Sequence, residues 1–462
     1  MILPTQILGT VVAAWLAWPC TPLEGHRERT QPEPLTIEAA SPVLGPVLGA
    51  VTDQSVRILI RGPGPGLWRA SVWASSQDPG SAVRVMETAE EKNDFVTEFF
   101  VGGLAAGTQY EYRVSSATME IDVREPGPAG TEQALSIGGR FRTLASAREG
   151  ARLTLAVGSC ANDRVFKEQP IWDRLIDASP DGLLLLGDTP YIDSSSLEKQ
   201  RERRRDFMQV RGLDELRRDT PSWTTWDDHD FGKPDGDGQM EGKDRTRRAF
   251  IEYTANDTNG EDGHGVYTTF RFGAAQVFLL DTRYFSRSEP SFADREKLTL
   301  LGADQWEWLK RELKASEAPF KILASGMIWN EAVRPNKDDY WMAYPHERAA
   351  VFEFVAMEGI TGVVLLGGDI HRNRALKHPS EETGVPYPLY EIIASPLANT
   401  VIAAANQPHP ALIFDAGVQH SAVLLTVDST GDVARLKARW IDETSKELFA
   451  FEVSADELCP PR

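Results

Sequence analysis

The chain has 462 residues, 41% hydrophobic and 25% charged, enough for two or three domains with large buried cores. Its formal net charge of −19 repels nucleic-acid phosphates at long range and argues against a nucleic-acid-binding role. Three cysteines, Cys20, Cys160 and Cys459, are too few for a disulfide framework.

Ile7 to Trp18 is an uncharged apolar run, too short for an ordinary transmembrane helix and suited to the apolar part of an export signal over residues 1–24. The mature protein is therefore expected to be exported, to lack a membrane span, and to offer Cys20 as a candidate lipid anchor. Residues 21–34 are polar and Pro-rich, as in a linker. Over 35–145 short alternating strands follow: SVRILI (55–60), ASVWA (70–74), 95–101 and QYEYRV (109–114). GPGPG, DPG and AAGT between them are turn sequences, so this stretch predicts a β-sandwich. Proline in GPGPG removes amide donors that a phosphate loop needs, and no helix follows.

From Arg152 apolar runs alternate with amphipathic stretches, the pattern of an α/β domain, expected over 150–445 with a tail at 446–462. The runs are LTLAVG (153–158), GLLLLG (182–187), TTW (224–226), VFLL (277–280), KILASG (321–326) and GVVLLGG (362–368). Amphipathic stretches at 305–313 and 347–357 predict helices, and Arg201 to Arg205 reads as a solvated helix face.

Chemistry gathers where these runs end. LTLAVG is followed by Ser159-Cys160-Ala161-Asn162, GLLLLG by Asp188-Thr189-Pro190-Tyr191, TTW by Asp227-Asp228-His229-Asp230, VFLL by Asp281-Thr282-Arg283, and GVVLLGG by Asp369-Ile370-His371. Ligands of open α/β sheets bind beyond the carboxyl ends of the strands, so these five endings are expected to converge. Singly, each is as well explained as a cap or a buried small residue. Together they predict a metal site of carboxylates and imidazole for hard or borderline cations. Asp188 and Tyr191 can aim at one ion from a tight turn. A phenolate favours a strongly acidic metal such as Fe(III), a Cys160 thiolate suits iron or zinc, and a bridging Asp188 would hold a second ion.

GSCAND, GDTPY, WDDHDFG, LLDTRYF, LGADQWEWL and GGDIH, in this order after a fibronectin III-like segment, resemble the PhoD-like alkaline phosphatase D family of calcineurin-like metallophosphoesterases. The resemblance covers roughly 35–445. It implies an α+β / α/β chain: an N-terminal β-sandwich followed by a four-layer αββα metallophosphoesterase domain. It also implies an Fe(3+) and Ca(2+) site, other divalent metals being alternatives, and hydrolysis of phosphate mono- or diesters. Cys160, Asp188 and Tyr191 resemble the iron-side ligands, and Asp369 and His371 the closing pair. Asp228 resembles the Asn of the GNH motif of related phosphoesterases, as a ligand and part of the catalytic group, and His229 the histidine that contacts the transition state. Lys233-Pro234-Asp235 stands where relatives often carry an Asn after DDHDFG.

Two metal ions would clamp the ester oxygens and activate a water for in-line attack. His229 would protonate the leaving oxygen. Arg283 or Arg164 would grip a non-bridging oxygen, or serve as a structural ion-pair partner. There is no GxSxG elbow and no GxxxxGK[ST] loop, and the C-x3-R spacing of Cys160 and Arg164 is too short for a cysteine phosphatase. The rival reading is a binding protein with a purely structural metal site.

Overall fold

Alternation along SVRILI puts Val56, Ile58 and Ile60 on one face of a strand, where they pack against Trp68, Ala70, Val72, Tyr112 and Val114. The computed structural model describes residues 42–117, 136–146 and 150–461. The expected export signal, Cys20 and the linker at 21–34 lie outside the described residues. Strands β1 (Leu44–Gly49), β2 (Ser55–Arg61) and β5 (Val96–Gly102) form one side of the sandwich. The other side is β4 (Val83–Ala89), β3 (Gly66–Ala74), β6 (Gln109–Ser116) and β7 (Ser136–Arg142), in that order.

The α/β part supplies β8 (Arg152–Gly158), β9 (Gly182–Leu186) and β10 (Ser222–Thr225), parallel to one another, then antiparallel β18 (Ser421–Asp428), β19 (Arg435–Asp442) and β20 (Glu447–Ser454). These join the first three sandwich strands in one nine-stranded sheet, β20-β19-β18-β8-β9-β10-β1-β2-β5. A second sheet runs β11 (Thr268–Phe272), β12 (Ala275–Leu279), β13 (Phe320–Ala324), β14 (Val363–Gly367), β16 (Leu389–Ile393), β15 (Asn373–His378), β17 (Leu412–Ala416).

Two-residue periodicity then sets the layers. Leu155 and Val157 face the second sheet and meet Val277, Leu279, Ile322 and Val364 in one core. Ala156, Leu183 and Leu185 face outward onto helices α1 (Ile171–Ala178) and α3 (Leu213–Asp219) through Ile171, Trp172, Leu175, Leu213 and Leu216. Helices α6 (Ala303–Ala315) and α7 (Pro345–Met357) cover the second sheet with Trp306, Leu309, Val351 and Val355. The result is the expected αββα arrangement. Among the described residues no helix is long and apolar enough to cross a membrane.

Three expectations change. The boundary expected between 145 and 150 does not separate two independent sheets: β1 pairs with β10 at Gly49 and Ser222, and Ser222 Oγ donates to the Leu48 carbonyl at 3.0 Å. The stretch at 446–462 is not a tail, since β20 pairs along its length with β19 and Val453 is fully buried. Arg201 to Arg205, on α2 (Leu197–Phe207), is not a solvated face. Arg203 is buried against Asp163 at 2.6 Å, Arg204 is buried over the Phe250 ring, and Arg201 and Arg205 pair with Glu252 and Asp94. A charge run shows no partner in sequence, and here the partners come from distant segments.

Candidate metal centre

The parallel strands deliver their ends to one place. β8 ends just before Cys160, β9 before Asp188, β10 before Asp228 and β14 before Asp369 and His371. The chain must turn sharply at each end. Cys160, Asp188, Asp369 and His371 all take left-handed backbone, at φ 59°, 53°, 62° and 53°. Gly187 makes room: a Cβ there would lie 2.3 Å from the Asp227 amide nitrogen. After β10 the Asp-rich run forms one helical turn, α4 (Asp228–Phe231), in which the Asp230 carboxylate accepts from the Asp227 amide at 2.6 Å. This turn points Asp228 inward and leaves His229 on the wall of the site.

Three ligand groups overlap. Cys160, Asp188 and His371 bring their donor atoms within 4.8 Å of one another, as do Asp188, Asp228 and His229, and Asp227, Asp228 and Asp369. Cys160 Sγ lies 3.6 Å from Asp188 Oδ2. Tyr191 OH lies 3.0 Å from His371 Nε2, and Asn399 Nδ2 donates to the Tyr191 oxygen at 2.7 Å. His371 Nδ1 meets the Thr400 carbonyl at 2.7 Å. A carbonyl only accepts, so Nδ1 carries the proton and Nε2 keeps a lone pair for an ion.

Electrostatics point the same way. Burial pushes the Asp188 carboxyl well up, and the Asp228 charge pushes it further. Burial likewise raises the Cys160 thiol and the Tyr191 phenol, each also facing Asp188. Asp369 is raised by burial to about 6 despite Lys337. Burial lowers His371 to about 4, leaving it neutral. Asp228 goes the other way: burial opposes its ionisation, but Arg283, His229 and Lys337 hold it well below the usual carboxylate range. Its Oδ1 is buried without a hydrogen-bond partner. Crowded buried anions, an unpartnered carboxylate oxygen and a mixed S, N and O donor set are the chemistry of a cation site. Cys160, Asp188 and His371 form one donor group that could hold a metal ion, and Asp227, Asp228 and Asp369 form another.

His229 stands beside this group. Its ring lies 4.2 Å from that of Tyr191, and its Nδ1 is 2.6 Å from Asp193 Oδ1, which Arg164 steadies at 3.0 Å. Burial lowers its pKa, but the Asp193 hydrogen bond and the Asp188 and Asp228 charges prevail and raise it to about 10. His229, Asp188, Asp228, Asp369, His371, Arg334 and Lys337 line a cavity of about 110 Å³.

Two expected participants stand behind the site. Arg283 is fully buried, with Asp227 at 2.5 Å, Asp339 at 2.9 Å and the Gly236 carbonyl at 3.1 Å, so it orders carboxylates and cannot reach a phosphate. Its other neighbour in sequence, Asp281, accepts from Trp226 Nε1 and three backbone amides and shapes a turn. The VFLL ending therefore adds no ligand. Conversely, Asp193, Lys337 and Asn399 belong to the site and escaped the sequence reading. Only Asp193, two residues beyond GDTPY, sat close enough to a motif to be noticed.

A family model described as PhoD-like phosphatase matches residues 155–433. Alkaline phosphatase D of Bacillus subtilis (strain 168) is 28% identical over 210 residues, covering 39% of this chain. The match spans 36% of that relative's own length. A solved structure of PhoD superposes with a TM-score of 0.70 at 18% identity, over 88% of this chain and 91% of that one, a likeness of fold. With the family model covering more than half its length, the chain belongs to the PhoD-like phosphatase family.

Proposed function

We propose that the protein is a metal-dependent phosphoric ester hydrolase acting on phosphate mono- or diesters. The observation that carries the reading is the convergence of Cys160, Asp188, Asp228, Asp369 and His371 around one cavity with His229 on its wall. Cys160, Asp188, Tyr191 and His371 would hold iron(III), and Asp188, Asp228 and Asp369 would hold calcium. When bound, such a pair supplies charge neutralisation for the phosphoryl group and an activated water nucleophile.

The chain's own residues do the rest. Asp193 holds His229 Nδ1, which leaves Nε2 as the proton donor for the leaving oxygen in the cavity that His229 lines. Asp227 and Asp339, clamped by Arg283, back the carboxylates that face the ions. His371 stays neutral and oriented by Thr400. Arg334 and Lys337 bring positive charge to the cavity wall, where an anionic ester enters. Ile7 to Trp18 is proposed as an export signal, checked by locating the protein after cell fractionation.

The experiment is turnover of a chromogenic phosphate ester, run beside elemental analysis of the purified protein. About one iron per chain and a charge-transfer colour are expected. No turnover by well-folded, metal-loaded protein would overturn the reading. Colourless, active protein holding only zinc would overturn the iron assignment alone.

A further inference from the structure

Two arginines carry charge into the interior without a counter-ion. Arg204 on α2 is 4% exposed and Arg217 on α3 is 7% exposed. Their neighbours Arg201, Arg203 and Arg205 each hold a carboxylate, but neither Arg204 nor Arg217 forms an ion pair or side-chain hydrogen bond among the described residues. Nε and Nη2 of Arg204 and Nε of Arg217 are buried donors with no acceptor. Asp230 is the carboxylate that acts most strongly on Arg204, through space only, and its oxygens serve the Asp227 and Thr189 amides.

Arg204 and Arg217 both line one small cavity of about 20 Å³, lined also by Thr189, Pro190, Thr224 and Tyr253. The Thr189 hydroxyl there is likewise without a partner. A space needs about 10–15 Å³ in this measure to hold a water, so one small sphere fits and a phosphate does not. Burial lowers each guanidinium to about 10, and Arg204 adds to the effect on Arg217, so both remain cationic at neutral pH. Water can meet the hydrogen bonds but not two like charges in a dry interior.

We propose that this cavity binds one small monovalent anion of the halide class, held between Arg204 and Arg217 and touched by the Thr189 hydroxyl. The ion is structural. It sits behind the turn of Asp188 to Tyr191, so it braces from below the segment that carries two of the site's donors. The proposal does not depend on the proposed function.

The test uses the full-length protein. Crystals grown from bromide are expected to show an anomalous peak between the two guanidiniums. Exchanging chloride for gluconate at constant ionic strength should lower the thermal midpoint by about 2 °C or more, and Arg217→Met should abolish that dependence. The bromide peak in the unaltered protein decides the matter even if Arg217→Met fails to fold. A cavity free of bromide, occupied by water alone, overturns the proposal. So does a folded Arg217→Met protein that keeps the full chloride response.

Discussion

Lys337 Nζ lies 2.9 Å from Asp369 Oδ2, so an ammonium touches a carboxylate proposed to hold a metal. It also reaches Asp339 at 2.6 Å, and burial notwithstanding, these charges hold Lys337 above the usual lysine range. Lys337 and a divalent ion therefore draw on the same oxygens. Lys337→Met should destabilise the protein by about 3–5 kcal/mol without added divalent ion, the usual cost of leaving a buried charge unpaired. Millimolar calcium should restore much of this loss, and more than it adds to the unaltered protein. Chemical denaturation with and without calcium measures both, and equal calcium responses would refute the shared use of Asp369.

His229 and Asp188 should separate in their effects. His229→Ala is expected to keep its metal and lose about 10²-fold or more in kcat, as for a missing acid. Asp188→Ala should lose metal and activity together, because its carboxylate belongs to two of the three ligand groups. Metal content and kcat on both purified variants provide the comparison. Metal loss in His229→Ala would make it a ligand.

Asp193 sets the protonation of His229. Its hydrogen bond and the neighbouring carboxylates raise the imidazole to about 10 against burial. A proton donor is lost as pH rises through its pKa. Asp193→Asn removes one raising charge, so the alkaline limb of kcat should move to lower pH. A pH–rate profile reads this directly, and an unmoved limb would mean that another group donates the proton.

Away from the site, His378 is fully buried with Glu391 at 2.8 Å and Glu382 at 2.8 Å. Burial lowers the His378 pKa, but the two carboxylates prevail and raise it. Burial raises Glu391, and His378 prevails and lowers it. The histidine's contribution is complete below its unfolded value of about 6.5 and is lost as pH rises through its folded value. The glutamate's contribution is present above about 4.3 and is lost as pH falls through its folded value. The pair should stabilise most between those two pH values. Denaturation midpoints of the protein and of His378→Gln across pH 4–9 should differ most within that window.

A chain beginning at Gly150 should not fold as the catalytic part alone. It would lose β1 from the edge of β10 and the Asp94 partner of Arg205, exposing an unpaired strand edge. Insoluble or unfolded protein is expected by circular dichroism, and a soluble, metal-retaining fragment would contradict this.

The α/β character was readable because LTLAVG, GLLLLG and GVVLLGG are continuous apolar runs, as in strands buried on both faces, whereas the αββα layering came from the family resemblance. Cys160, Asp188, Asp228, Asp369 and His371 were readable because each follows its strand within a few residues. Lys337, Asp193 and Asn399 come from loops, where reach depends on three-dimensional path and not on spacing. Arg283 stayed open between a phosphate grip and a structural ion pair because sequence shows a charge but not the Asp227 and Asp339 that pair with it. ELFAFEVS, by contrast, carried a strand signal in Phe449, Phe451 and Val453 at alternate positions, overshadowed by its place near the end of the chain.

The left-handed turns at Cys160, Asp188, Asp369 and His371 filter substitutions before any chemistry is tried. Asp, Asn and His enter that backbone region more readily than most residues, and β-branched side chains pay heavily there. A mutational library at these four positions would thus be thinned by folding first. Beside the native residues, its survivors should be Asp, Asn, His or Gly, so exchange of one metal for another is most accessible by trading within that short alphabet.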